Sequence, residues 1–291
     1  MSALPIPLAT HARSSIVTVN SGDGARSELI LTRPIDDPLH SLYWLPAMGV
    51  PARHYLPWAQ ALAAHDIAVA LHEWRGIGSS DRRAGRHLDW GYHQLLEMDI
   101  RAGVTEARAH WPQATSWMGG HSLGGQLACL YASLHPCDVA GMALVASGAP
   151  YWRCFSYRPV MFAAYALATP LARLLGHFPG RAIGFGGNEA RSVIADWARS
   201  GRTGRYSVAG LGADVEPKLA ALRQPVLALR LRDDWMVPPS SLAWLLGKMP
   251  KAPQRIDTVG PEQLSGQAAD HFSWMKQPNA LAAPLANWMR S

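Results

Sequence analysis

Three residues in this chain have the types and the order that acyl transfer needs: Ser122, Asp234 and His271. Ser122 is the centre of Gly120-His121-Ser122-Leu123-Gly124, with Gly119 and Gly125 on either side. A strand-like run over 115–118 precedes this stretch, and a helical pattern over 126–134 follows it. The combination predicts a sharp strand-to-helix bend with the serine hydroxyl at its tip. Such a serine holds strained backbone angles, and glycines two residues to either side let strand and helix approach without colliding β-carbons.

A serine hydroxyl is a poor nucleophile until a base takes its proton and an acid orients that base. On this kind of elbow the chain order is serine, acid, histidine. Only His135, His177 and His271 follow Ser122. His135 ends the helix that begins at the elbow, and His177 lies in a segment without strands. His271 sits in a loop just before the last helix, where the base belongs. The acid is expected at the carboxyl end of the strand over 225–231, in Arg232-Asp233-Asp234-Trp235-Met236-Val237-Pro238. Asp234 has the better spacing, because Val237-Pro238 then opens the next helix with proline in its first turn. Asp233 reads as a turn or capping residue, and Asp270 diverges from its neighbour on an extended loop. The oxyanion needs two N–H donors. Leu123, after the nucleophile, supplies one; Met48, in the loop Pro46-Ala47-Met48-Gly49-Val50, supplies the other.

These groups need a scaffold. Runs over 14–20 and 27–32, separated by Ser21-Gly22-Asp23-Gly24, predict a hairpin. Further strands are expected over 41–45, 67–71, 141–146, 225–231 and 255–259. Helices are expected over 55–65, 92–110, 126–135, 240–246 and 279–289. The alternation argues a mostly parallel twisted sheet with crossover helices. It stops over 148–213, which shows helical and irregular sequence and no convincing strand. Residues 1–147 and 214–291 therefore read as one α/β core, and 148–213 as an insertion.

The order of Leu45-Pro46-Ala47-Met48-Gly49, Trp74-Arg75-Gly76-Ile77-Gly78-Ser79-Ser80, the elbow, Asp234-Trp235-Met236-Val237-Pro238 and Asp270-His271-Phe272 resembles the α/β-hydrolase superfamily. It is similar in particular to the capped esterases, monoacylglycerol lipases and serine-aminopeptidase-like hydrolases. The resemblance implies the α/β-hydrolase fold with a helical cap formed by the insertion, the triad Ser122, Asp234 and His271, and oxyanion donors at Met48 and Leu123. One departure is Pro46-Ala47, where relatives usually carry His-Gly. Glu73-Trp74-Arg75-Gly76 stands where relatives have Asp-x-Arg-Gly, and Arg75 is expected to brace that loop. His121 is expected to pack behind the nucleophile.

The insertion holds eight arginines, no lysine and two acids, Glu189 and Asp196. Its net charge of +6 equals that of the whole chain. Its aromatic residues Tyr151, Trp152, Phe155 and Trp197 are candidates for contacting substrate, although packing the cap on the core and leaving arginines in water would use the same residues. Gly184-Phe185-Gly186-Gly187 reads as a flexible hinge. Such a cap suits an apolar acyl or aryl group carrying an anionic part, or weak contact with anionic lipid.

Composition narrows the rest. At 291 residues the chain can bury a sizeable core. Its arginines are scattered, without a nucleic-acid-binding signature. The three cysteines, Cys129, Cys137 and Cys154, have no metal-like spacing, so free thiols in a reducing compartment are expected. Residues 1–14 lack a secretory pattern, and the most apolar segment, 160–175, is interrupted by Thr169, Pro170 and Arg173. A cytoplasmic protein without stable membrane insertion, metal or cofactor is the expectation. Its substrate would be a small-molecule carboxylic ester of small to medium apolar or aryl type. Amides, thioesters, acyl acceptors or lipids can run on the same triad. A non-catalytic binder on this fold would not need serine, acid and histidine together.

Overall fold

Runs of apolar sequence without polar alternation become strands covered on both faces. In the computed structural model the described residues are 12–211 and 214–291. Residues 1–11 lie outside them, together with most of the segment read as lacking a leader, as do 212–213 at the end of the insertion. The chain starts with an antiparallel hairpin, β1 (Ala12–Asn20) and β2 (Arg26–Pro34), and continues into β3 (His40–Leu45). Helix α1 (Leu56–Ala63) leads to β4 (Ile67–Leu71), whose five residues are all buried. The expected helix over 92–110 is α2 (Tyr92–Gln94), a π-helical turn (Leu95–Ile100) and α3 (Arg101–His110) in succession. Then come β5 (Thr115–His121), α4 (Leu123–Leu134) and β6 (Met142–Val145).

The inserted segment carries α5 (Arg158–Leu175), β7 (Phe178–Pro179), α6 (Gly180–Ile183), β8 (Asn188–Glu189) and α7 (Arg191–Thr203). It therefore holds a two-residue antiparallel ladder, β7 against β8, where no strand was expected. The Gly184–Gly187 stretch forms the turn of that ladder. Its tip presses on the loop after β3: a Cβ added at Gly49 would stand 2.1 Å from Gly187 N. The backbone contact accounts for glycine at both Gly49 and Gly187. The chain ends with α8 (Val215–Ala221), β9 (Val226–Leu231), α9 (Pro239–Leu246), β10 (Gln254–Val259) and α10 (Asn279–Met289).

The eight long strands form one sheet ordered β1-β2-β4-β3-β5-β6-β9-β10. All neighbours from β4 onward are parallel, and only β1 and β2 run against their partners. Strand periodicity sends Tyr43 and Leu45 into one apolar layer, with α4 and α9, and Leu42 and Trp44 into the other, with α1 and α10. In the second layer Trp44, Trp58 and Trp274 meet with centroids 5.3 to 6.3 Å apart. Trp274 lies three residues after His271, so this cluster anchors the loop that carries the expected base.

His72, just past β4, shares a 2.8 Å hydrogen bond between Nδ1 and the Tyr43 hydroxyl. Burial pushes its imidazole down to about 3. The fold therefore holds it neutral while the unfolded chain protonates it below about pH 6.5. The unfolded state binds the extra proton, so stability falls as the pH is lowered through this window, by up to about 1.4 kcal/mol per unit. Urea midpoints measured from pH 6.5 to 5 should show this loss, and His72→Gln should flatten the slope by close to one proton. An unchanged slope would mean that His72 is protonated in the fold.

Candidate active site

The elbow is built as its glycines require. Ser122 stands between β5 and α4 with φ 56° and ψ −118°, a conformation that non-glycine residues rarely adopt. Its N–H donates to Val145 O, and its carbonyl accepts from Gly125 N–H and from the Ser147 hydroxyl. A Cβ at Gly120 would lie 2.3 Å from Gly124 C, and one at Gly124 would lie 2.0 Å from Leu45 O. The first turn of α4 is thus in backbone contact with the end of β3. That contact brings Leu123, whose N–H lacks a partner within the helix, towards the loop holding Met48.

The acid and base meet at the ends of β9 and β10. His271 Nδ1 lies 2.8 Å from Asp234 Oδ2, and both side chains are almost fully buried. Asp234 Oδ1 accepts from Met236 N–H (2.8 Å) and Val237 N–H (3.1 Å). With Nδ1–H donated to the carboxylate, Nε2 carries the lone pair and can take a proton. Asp233 has a different task. Its N–H donates to Ala269 O (2.9 Å), and its Oδ2 accepts from Ala269 N–H (3.0 Å). The acid loop and the base loop are thereby joined by main chain. Asp270 accepts from Phe272 N–H, Ser273 N–H and the Ser273 hydroxyl. Burial works against its charge, but the Ser273 hydroxyl and these N–H groups hold its carboxyl below the usual value.

Ser122 Oγ makes no hydrogen bond among the described residues, as is common before substrate tightens a site. His121 carries the elbow to the base: its ring lies 4.8 Å from the His271 ring. His121 is fully buried, which keeps it neutral, and its Nδ1 lies 2.8 Å from the Tyr55 hydroxyl. The same hydroxyl accepts from Ala47 N–H (2.9 Å), and Pro46 O accepts from Trp74 Nε1–H (3.0 Å). Tyr55 and Trp74 therefore hold the Pro46-Ala47 loop. Sequence reasoning missed Tyr55; its signal was a hydroxyl-bearing ring at the start of an apolar helix. Tyr55→Phe strands both partners, and about 1–3 kcal/mol of stability should go with them. Roughly tenfold should also be lost from kcat on a soluble ester if the loop shifts. Thermal melting and kinetics check this, and a variant equal to wild type in both would show that the bridge is idle.

The loop after β4 is braced as expected. Arg75 forks onto Asp99 through Nε (2.9 Å) and Nη2 (2.6 Å), and onto Asp23 through Nη1 (2.6 Å) and Nη2 (3.0 Å). Glu73 accepts from Ala52 N–H and Ser79 N–H, and burial raises its carboxyl above the ordinary value. Cys129 packs in the core, where burial pushes its thiol up to about 12. His135 pairs with Glu97 at the far end of α4.

The four aromatics singled out in the inserted segment divide. Trp197 packs on Tyr165 (4.8 Å) and Phe185 (5.4 Å), and shares an apolar cluster with Trp152 and Met48. Trp152 also donates from Nε1 to Arg202 O (3.1 Å). Tyr151 turns to the core and stacks on Trp244 at 4.6 Å, while Phe155 is half-buried after a short turn from Trp152. Among the described residues no cluster of histidine, cysteine and acidic side chains could hold a metal. No described helix is long and apolar enough to cross a membrane.

Comparison with known proteins agrees with the fold. The structure is similar to a hydrolase from Pseudomonas aeruginosa PA01 (TM-score 0.65, 15% identity, 95% of this chain and 99% of that one). It is also similar to an esterase domain from Rhodothermus marinus (TM-score 0.61, 17% identity, 96% and 98%). A thermophilic esterase from Thermogutta terrifontis is comparably close (TM-score 0.62, 16% identity, 96% and 98%). In sequence, 113 residues are 26% identical to the monoglyceride lipase of Rattus norvegicus, covering 39% of this chain and 36% of that relative. A family model for serine aminopeptidase, S33, matches residues 38–259. The chain has the α/β-hydrolase fold and belongs to the serine aminopeptidase S33 family of hydrolases.

Proposed function

We infer that this hydrolase cleaves carboxylic esters of small to medium apolar or aryl acids through a covalent acyl-serine. The observation that carries the reading is the buried His271 Nδ1 to Asp234 Oδ2 pair, 2.8 Å long, whose imidazole lies 4.8 Å, ring to ring, from His121, the neighbour of a serine at φ 56°. Ser122 Oγ attacks the ester carbonyl as His271 Nε2 takes its proton. Asp234 orients the imidazole and stabilises its charge. Met48 and Leu123 N–H groups receive the oxyanion. Collapse of the tetrahedral intermediate breaks the C–O bond, and His271 protonates the departing alcohol. Water, deprotonated by the same imidazole, then releases the acid and restores the serine. The chemistry needs no cofactor.

In this reading residues 148–213 act as a cap on a core of 1–147 and 214–291, and Trp197 and Trp152, clustered with Met48, contact the acyl group. Tyr151 and Phe155 shape the cap around them. The three unpaired cysteines support a cytoplasmic setting. The test is labelling by a fluorophosphonate probe, followed by matched nitrophenyl esters, thioesters and anilides of increasing acyl length. Stoichiometric modification of Ser122 and esters hydrolysed faster than anilides are expected. A folded protein that leaves Ser122 unlabelled would sink the enzyme reading. Faster anilides would move the substrate class to amides.

A further inference from the structure

Helix α5 is inverted for a soluble protein. Its inner face buries Tyr165, Ala168 and Ala172 against α7, in the cluster that reaches Met48. Its outer face carries Val160 (65% exposed), Leu167 (67%) and Leu174 (70%), with Leu171 on the same stripe. These positions recur at helical spacing and make one apolar strip along about 21 Å of helix. Sixteen large apolar side chains are exposed among the described residues, and eight of them fall between positions 157 and 183. The exposure is therefore concentrated and not the ordinary scatter of a surface.

The charges around this strip have one sign. Arg158 and Arg173 are the only charged residues of α5, with Arg153 before it and Arg181 after it. Arg86 reaches across to donate to Leu174 O at the end of the helix. Among the described residues, the arginines of the inserted segment that make ion pairs are Arg191, Arg199 and Arg205, so Arg153, Arg158, Arg173 and Arg181 carry none. A second copy seated on this face would bring together two segments of net charge +6 with no acid on either helix. An anionic lipid surface supplies what is missing: phosphate oxygens for the arginines and acyl chains for the leucines.

We propose that the outer face of α5 docks in the plane of an anionic lipid surface, with Val160, Leu167, Leu171 and Leu174 sunk among the acyl chains and the net positive charge of the inserted segment drawing it to that surface. The helix is then a wall about 10 Å thick between lipid on one side and the Met48 cluster on the other. Docking rests on this face alone and holds whether or not Ser122 cleaves esters.

The test is co-sedimentation of the full chain with vesicles of phosphatidylglycerol and phosphatidylcholine in equal parts, or of phosphatidylcholine alone. Wild type should bind the anionic vesicles at about 0.05 M salt and be released at about 0.5 M. Binding to pure phosphatidylcholine should be at least about tenfold weaker. Leu167→Glu with Leu174→Glu, and separately Arg158→Gln with Arg173→Gln, should each weaken partitioning roughly tenfold or more. Ile256→Glu, at an exposed apolar position on the edge strand β10, should not. Circular dichroism melting establishes that each variant is folded. Failure of wild type to bind anionic vesicles, or unchanged binding by both double variants, overturns the proposal. So does a chain that self-associates without binding lipid and becomes monomeric in the leucine variant, since the strip is then covered by a second copy.

Discussion

Ser122→Ala is expected to lower kcat on a soluble nitrophenyl ester by about 10⁴-fold or more while leaving the melting temperature close to wild type. Alanine meets the same left-handed backbone that serine already tolerates, so the strain is common to both and the fold is not asked to change. What disappears is the oxygen proposed to form the acyl bond. Asp234→Asn should cost a similar factor, about 10⁴, for another reason. An amide can donate to Nδ1, which leaves the proton on Nε2, the nitrogen that must accept from serine. Asp233→Asn is the discriminating control. Asp233 Oδ2 holds Ala269 N–H and does not touch the imidazole, so its loss should be far smaller. Activity within tenfold of wild type in Ser122→Ala would remove the acyl-serine mechanism. A larger loss at Asp233 than at Asp234 would reassign the acid.

The second large effect concerns stability. Arg75 and Asp99 have side chains 5% and 6% exposed, and the Ser21 hydroxyl also donates to Asp99. Burial opposes the Arg75 charge, but its bonds to Asp99 and Asp23 more than restore it, so the guanidinium holds its proton more tightly than usual. Removing one partner leaves the other charged and out of water. Arg75→Met or Asp99→Leu should each cost about 3–5 kcal/mol in guanidinium unfolding. The double variant should recover a good part of that, because no buried charge remains. A single variant losing under about 1 kcal/mol would show that water reaches the site. Activity should fall as well, since Trp74, next to Arg75, holds Pro46 O beside the expected oxyanion donor.

Where one local signal decided the outcome, the sequence was readable. Ile67–Leu71 and Asn279–Met289 have the bounds expected of them, the first as an unbroken apolar run and the second as a helix placed after a proline. The elbow was readable because backbone collision leaves only glycine at Gly120 and Gly124. Features that depend on two distant segments were not. Nothing near Tyr55 announces Ala47 and His121 as its partners, and nothing near Asp233 announces Ala269. The π-helical turn left one trace, an aspartate at 99 within an otherwise apolar face. That trace makes sense only once Arg75 arrives from another loop. The β7–β8 ladder is two residues long, below the reach of any periodicity. The exposed side of α5 was hidden for a related reason: an apolar stripe looks the same in sequence whether it faces a core or water.

The pairing of β6 with β9 joins Met142–Val145 to Val226–Leu229, and it divides the chemistry as well as the sheet. In the proposed mechanism everything before it in the chain would contribute the attacking oxygen and its oxyanion donors, and everything after it the proton acceptor and its orienting carboxylate. Each half is organised by its own local contacts, the first by glycine-tight packing of α4 on β3 and the second by the Asp233–Ala269 link. On that reading neither half turns over an ester alone. The inserted segment is the tether between them, and four residue pairs of sheet are the seam at which two inert parts become one catalyst. Turnover is therefore a report on whether that seam is closed.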